Sequence, residues 1–154
     1  MKVGIKKIHE NEWLVHIGNA SVKMDTFSVA LLNMTLEHLV ALEHGEAHST
    51  LKSYVGLGLK LKQLNDLDMQ KFIQMVESTD LLNLMLAAAD DDLNSHIVGN
   101  MGGILSKQFE QDLVTAVMPI EVQARDSIKR VVEAMFELEA KGQLEMVSET
   151  TRYI

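Results

Sequence analysis

The chain has 154 residues, a net charge of -8 at pH 7 and a hydrophobic fraction of 47%, which is typical of a globular chain with a core, and it has no cysteine for a disulfide or thiolate chemistry. Residues 1–78 hold nine acidic side chains against eight lysines, whereas residues 79–154 hold thirteen against six. An acidic half repels phosphate backbones, so we expect no nucleic-acid partner.

The first residues predict a small sheet and a helix that covers it. Alternating apolar residues over 2–24 indicate three short strands, and Gly18-Asn19 is typical of a two-residue hairpin turn, since glycine accepts a positive φ. Asp25 or Thr26 is a suitable N-cap for a helix from Phe27 to about His44, which Gly45 ends. Apolar residues cover more than half of this helix's circumference, so we expect it to be central, packed on the sheet and on other helices.

A second helix is predicted over residues 51–61, and the turn at 65–68 is the best candidate for an internal boundary. Short helices follow, and Asp90-Asp91-Asp92 suits the first turn of one of them better than it suits a magnesium site. Two helices carry apolar stripes: Leu105, Phe109, Leu113 and Ala116, then Ile128, Val131, Val132, Met135 and Leu138. The fold class is therefore α+β, with domains 1–66 and 67–154. The first is a three-stranded antiparallel hairpin sheet with two helices, and the second is all-helical.

The best candidates for chemistry are three histidines close in sequence, His38, His44 and His48. His44 and His48 have the four-residue spacing at which helical side chains can share a metal ion. The HExxH pattern is not met, because residue 45 is glycine, so solvated side chains at a helix end are the simpler interpretation. The sequence also has no Walker loop, dinucleotide fingerprint or oriented nucleophile. We therefore predict no enzyme, no cofactor and no metal.

Two segments, Asp80–Met101 and Arg125–Met146, carry a resemblance to a known family. Matching positions of the first are Asp80, Leu81, Leu86, Ala89, Leu93, Ile97, Val98, Asn100 and Met101. Matching positions of the second are Glu139, Lys141, Gly142 and Leu144. Over residues 78–144 the chain resembles, without a gap, the last domain of the flagellar motor switch protein FliG. The resemblance implies a helical domain without a catalytic signature.

In that family, charged side chains along an exposed helix ridge meet opposite charges on the membrane stator and transmit torque. The ridge arginines fall here on Ile104 and Ile120, and the ridge acids fall on Gln111 and Asp112. A further family lysine falls on Ala87, so only Asp112 keeps its charge. The chain resembles a motor-switch domain without its stator-facing charges.

These observations predict a noncatalytic bacterial adaptor of the cytoplasm that acts by protein–protein interaction, at a flagellar motor or another membrane-associated assembly. We expect a protein partner or self-association through Ile104, Gln108, Gln111, Asp112 and Ile120, and no insertion in a membrane, because no apolar run is long enough. The alternative is a small regulatory or sensing domain that binds a metal or small ligand near His38, His44 and His48.

Overall fold

The N-terminal strands form an antiparallel sheet in the order β1-β2-β3, as expected. The strands are β1 (Val3–His9), β2 (Glu12–Ile17) and β3 (Ala20–Met24). Gly18 has φ +61°, which confirms the glycine hairpin turn. Val15 of β2 pairs with Ile5 on β1 and with Val22 on β3, which makes a row of three apolar residues across the sheet. Val15 is the buried residue of this row. Its neighbours Ile5 and Val22 are 54% and 48% exposed, so only the centre of this row is covered.

Helix α1 (Thr26–Ala41) follows the sheet and begins as predicted, because the Asp25 carboxylate accepts the Ser28 N–H at 2.8 Å. The only tryptophan, Trp13, joins β2 to α1 by donating its indole N–H to Thr26 Oγ1 at 3.2 Å. The prediction of a central helix ending near Gly45 was wrong. Phe27 is the only buried residue of α1, and Val40 is 88% exposed. With nothing for its last turn to bury, the helix ends at Ala41.

This computed structural model describes residues 1–146, so residues 147–154 of the predicted second domain lie outside the described part of the chain. Two compact units are seen, Met1–Ser53 and a second that begins at Tyr54. A division into compact units is not a test of independent folding. The boundary after residue 66 therefore remains a proposal about separately folding domains.

The second unit is helical, and its core lies between α4 and α7. Its elements are α2 (Thr50–Gly58, whose first residues belong to the first unit), a 3-10 helix (Leu59–Gln63), α3 (Asp66–Met75), α4 (Ser78–Ala88), α5 (Asp91–Val98), α6 (Gly103–Thr115) and α7 (Glu121–Ala140). The predicted stripe of α7, Ile128, Val131, Val132, Met135 and Leu138, is entirely buried. The α+β class is thereby confirmed.

Polar side chains tie these helices together at the positions that carry the resemblance. The Asn100 amide donates to Asp66 Oδ1 at 3.1 Å and to the His96 carbonyl at 2.8 Å, and it accepts from Gln70 at 3.2 Å. These bonds join the end of α5 to α3. Asp90 is the N-cap of α5, since its carboxylate accepts the Leu93 N–H at 2.8 Å, which confirms the capping interpretation.

Helix α6 is less buried than its apolar stripe predicts. It packs on α4 and α5, and Phe109 is its buried residue. Leu113 and Ala116 are half-buried, while Leu105 is 37% exposed. Of the predicted inner stripe, only the Phe109 ring is therefore buried. A helix at the edge of a small unit has too few neighbouring helices to cover every residue of such a stripe.

Helix α4 ends at a C-cap residue, Ala89, in a backbone conformation that is unfavourable for residues other than glycine. Ala89 has φ +46°, the left-handed conformation in which a Cβ atom crowds the following carbonyl. Ala89 is also exposed, so its methyl group contributes little packing. We expect Ala89→Gly to raise the free energy of unfolding by about 1 kcal/mol. Chemical denaturation measures this change, and a loss of stability would show that the left-handed conformation is not strained.

Candidate functional site

The second unit exposes large apolar side chains at Leu67, Met75 and Ile104 and, as a group of five, where α6 ends and α7 begins. The exposed fractions of the five are 85% for Val114, 90% for Val117, 57% for Met118, 65% for Ile120 and 54% for Val122. We call these five residues the α6–α7 surface. Ala116 caps α6 in an extended conformation and Ile120 is the N-cap of α7. The chain between the helices therefore presents its apolar side chains to solvent instead of to the core.

The other predicted binding residues lie on α6. Gln108 and Gln111 are exposed, and the Gln108 amide donates to the half-buried Asp112 carboxylate at 3.0 Å. Ile104, in the first turn, is 90% exposed. Both isoleucines that replace family arginines are thus on the surface, and the alternative that they fill the core does not apply. Their role in binding a partner remains a prediction.

The structure does not gather the predicted residues into one cluster. Ile104 begins α6 and Val114 ends it, so at a rise of 1.5 Å per residue they lie about 15 Å apart along the axis. Ile120 lines a groove with Val117 and Met118. Ile104 is not among the lining residues of that groove, and its neighbour Leu105 lines a different one. The apolar surface is therefore concentrated at one end of α6.

A groove of about 580 Å³ adjoins the α6–α7 surface. One wall is the apolar segment from Val117 to Ile120, and the other is polar, with Asp80, Asp126 and Arg130. The groove is open to solvent and presents apolar and polar groups side by side.

The polar wall is held by a chain of hydrogen bonds between α4 and α7. Arg130 donates to both carboxylate oxygens of Asp80, at 2.8 and 2.9 Å, and Asn83 donates to Ser127 Oγ at 2.9 Å. Asp80 is 7% exposed, while the Arg130 side chain is 60% exposed. The hydrogen bond from Arg130 lowers the pKa of Asp80, and a second from Ser127 acts in the same direction against the effect of burial. These bonds join α4 to α7 along the polar wall of the groove.

Comparison with known families gives one match. The sequence model for the FliG C-terminal domain matches residues 59–146, which is more than half of the chain. The chain belongs to the FliG C-terminal domain family. Comparison with curated proteins and with solved structures found no match. The FliG C-terminal domain is a non-enzymatic, protein-interacting component of the flagellar motor switch. The resemblance read from the sequence is thereby confirmed.

This chain differs from the FliG C-terminal domain family at the positions where the family carries charged side chains. Of the positions at which the resemblance places the family's charges, Ile104 and Ile120 are exposed apolar residues, and Asp112 is an acid bonded to a neighbouring glutamine. Ala87 is half-buried on α4. Among residues 1–146 no helix is long and apolar enough to span a membrane.

The histidines of the alternative site lie in the first unit. His38 Nδ1 and His48 Nε2 are each 3.3 Å from Ser53 Oγ, and their ring centroids are 6.1 Å apart. His44 is exposed in the loop after α1 and His48 also lies outside any helix, so the two do not share a helix face as the alternative requires. Within the described residues no group of three or more His, Asp or Glu side chains could hold a metal ion.

Sequence reasoning missed Val114, Val117, Met118 and Val122. The signal was present, since Val117-Met118 and Ile120 flank the only proline of the chain, Pro119, in a stretch without a charge. An apolar stretch between helices is ordinarily a buried connection, so its exposure could not be predicted from the sequence. Arg130 was also missed, because an arginine on the outer face of a long helix gives no sign of its partner fifty residues earlier.

Proposed function

We propose that this chain is a noncatalytic, FliG-like adaptor that binds a partner protein through the α6–α7 surface. The observation that supports the proposal is that surface itself, five large apolar side chains that are each more than half exposed. Exposed apolar patches mark interaction sites in soluble domains, and three of the five residues, Val117, Met118 and Ile120, line one groove. This groove receives the partner's anchor residue, and Asp80 and Arg130 form its polar wall.

The contact is a packed one. Isoleucine replaces arginine at the two ends of the family's charged ridge, so long-range electrostatic steering is lost and apolar area is gained. A contact between charged side chains can slide, because it depends weakly on register. Apolar packing depends on shape and favours a fixed position. The adaptor therefore holds its partner in one position, instead of transmitting force to a surface that slides along it.

The charges around the surface suggest the chemistry of the partner. Residues 79–154 hold thirteen acidic side chains against six basic ones, and Glu110, Glu121 and Asp126 are exposed close in sequence to the α6–α7 surface. A partner segment with one large apolar side chain flanked by Lys or Arg complements this arrangement. A second copy of the chain fits less well, because two chains of charge -8 repel each other. Self-association through Ile104, Gln108, Gln111, Asp112 and Ile120 is the competing outcome.

The family to which the chain belongs supports a place at a flagellar motor or another membrane-associated assembly, on its cytoplasmic side. The chain meets the membrane there through its partner. The loss of the ridge charges favours a static position in such an assembly over a rotor position against the stator.

Affinity capture from the source cell, with the whole chain as bait, tests this proposal. We expect a partner that stays bound when the wash is changed from low to high salt, because apolar contacts are not screened by ions whereas surface ion pairs are. The control is a bait with Val117→Asp and Ile120→Asp, which should release the partner at both salt concentrations. A partner that leaves in high salt, or that binds both baits equally, would contradict a packed contact at this surface.

A further inference from the structure

The first strand of the sheet has one side without a neighbouring strand. The order β1-β2-β3 makes β1 an edge strand, and α1 packs mainly on β2 and β3. Val3 and Ile5 of β1 share a face with Val15, and both are more than half exposed. An edge strand offers its outward backbone groups to any extended segment that lies beside it.

A hydrogen bond at the start of β1 shows which backbone groups of this strand face β2. The Gly18 N–H donates to the Lys2 carbonyl at 2.7 Å, and Gly4 and Lys6 follow Lys2 at two-residue intervals. Because bonded and non-bonded pairs alternate along an antiparallel ladder, Gly4 and Lys6 direct their N–H and C=O groups toward β2. The residues between them direct these groups away from β2.

The open edge therefore carries the N–H and C=O groups of Val3, Ile5 and Lys7. Within residues 1–146 no backbone hydrogen bond joins these groups to a segment outside the sheet. An extended segment of another protein can bond to them and become a fourth strand, with its side chains alternating between the two faces.

The side chains of β1 give the two faces of such a fourth strand different neighbours. On one face the neighbours are the apolar side chains of Val3 and Ile5. On the other face they are the ammonium groups of Lys2 and Lys6, with Gly4 between them. No atom lies within 4 Å of the position where a Cβ atom of Gly4 would be, so there is room beside this residue.

The charges of the sheet favour an acidic occupant. Residues 1–24 hold four lysines against two acidic side chains, and both glutamates already have lysine partners, Lys7 at 4.0 Å and Lys23 at 3.4 Å. Within the described chain, residues 1–146, no carboxylate forms an ion pair with Lys2 or Lys6. A second copy fits less well, because two β1 strands side by side bring their lysines together, and like charges on neighbouring strands are destabilising.

We propose that the open edge of β1 binds an extended segment of a partner protein with the pattern acidic–apolar–any–apolar–acidic. In an antiparallel arrangement its apolar residues lie opposite Ile5 and Val3, and its acidic residues lie opposite Lys6 and Lys2. The central residue lies beside Gly4. This segment is opposite in charge to the one that suits the α6–α7 surface, so the two surfaces select different partners, as the two sites of an adaptor must.

A fluorescent peptide that contains Glu-Val-Thr-Ile-Glu, titrated with the whole chain and followed by anisotropy, tests the proposal. We expect saturable binding that weakens as salt is added. Ile5→Pro should lower the affinity at least about tenfold, because proline removes an outward N–H without removing a bond to β2. Ile5→Val keeps this N–H and should bind nearly as well as the wild type.

The matched control lies on the other edge strand, β3. The two-residue turn places Ala20 in a bonded pair with β2, so the N–H of Ser21 points away from the sheet. Ser21→Pro removes this N–H and should leave peptide binding unchanged. The Trp13 fluorescence of each proline variant shows that its sheet is folded. Equal losses in Ile5→Pro and Ser21→Pro would contradict binding at the β1 edge.

An exchange of charges tests the proposal without a proline. Lys2→Glu combined with Lys6→Glu should abolish binding of the acidic peptide and create binding of a peptide that contains Lys-Val-Thr-Ile-Lys. The wild type should not bind this basic peptide. If the wild type binds neither peptide, or binds both equally, the proposal is overturned.

Hydrogen exchange, measured by NMR, locates the bound peptide. In the free chain the amides of Gly4 and Lys6 should be protected, while those of Val3 and Ile5 exchange rapidly. The acidic peptide should slow exchange at Val3 and Ile5. Protection at Ser21 instead would overturn the proposal. Assembly of the chain with itself that Ile5→Pro abolishes would also overturn it, because a second copy would then occupy the edge.

Discussion

Replacement of Arg130 by methionine is expected to lower the free energy of unfolding by about 2 kcal/mol. Methionine keeps the aliphatic contacts of the arginine stem but leaves the nearly buried Asp80 carboxylate without the two bonds that Arg130 donates. The value lies between those of buried and surface ion pairs, because Asp80 is shielded while Arg130 is largely in water. Urea unfolding followed by the helical circular dichroism signal measures it.

The matched control is Asp80→Asn, which leaves the cation in water and keeps an amide that can hydrogen-bond. We expect it to cost about 1 kcal/mol, less than Arg130→Met. If Asp80→Asn lowered the free energy of unfolding more than Arg130→Met does, the bonds that Arg130 donates would not be the main stabilising interaction of Asp80. The pKa of Asp80 is lower in the folded chain, so its stabilising effect is complete above the unfolded pKa of about 3.9 and is lost as the pH falls through the folded value. The difference between wild type and Asp80→Asn should therefore shrink below about pH 4.

Replacement of Val117 and Ile120 together by aspartate is expected to keep the fold and reduce partner binding at least a hundredfold. Both side chains are mostly in water in the free chain, so the charges cost little folding energy. In a packed contact the same carboxylates would be buried without partners, at a cost of several kcal/mol. Melting curves give the stability, and a titration of the captured partner gives the affinity.

Two further variants define the limits of this prediction. Ile104→Asp, at the other end of α6, should weaken binding less, because Ile104 lies about 15 Å from Val114 along the helix. Phe109→Asp should unfold the second unit, since Phe109 is the buried residue of α6. If the double aspartate variant unfolded as well, the α6–α7 surface would be part of the core and the interface would be elsewhere.

The elements that the sequence predicted best are those whose pattern has one interpretation. The stripe of α7 repeats at helical spacing with polar residues on the other face, and all five of its residues are buried. Helix α1 is apolar on most sides, and such a pattern does not say how many neighbours the helix has. Phe27 is the only buried residue of α1.

The candidate sites depended on tertiary information that spacing does not contain. The resemblance located Ile104 and Ile120, but only the structure shows that both are exposed and that they lie apart, Ile104 in the first turn of α6 and Ile120 at the N-cap of α7. The four-residue spacing of His44 and His48 suits a shared site only on a continuous helix, which Gly45 was expected to end. Since α1 ends at Ala41, the following loop instead places His48 near Ser53 and His38.

The single tryptophan has a practical consequence for all of these measurements. Trp13 lies on β2, with its indole bonded to Thr26 and the Lys7 ammonium 5.5 Å from its ring, so its fluorescence reports on the first unit alone. The helical circular dichroism signal arises mainly from the second unit. The natural chain therefore contains separate spectroscopic reporters of its two units. Coincident transitions identify one cooperative molecule, whereas separated transitions give each unit its own stability.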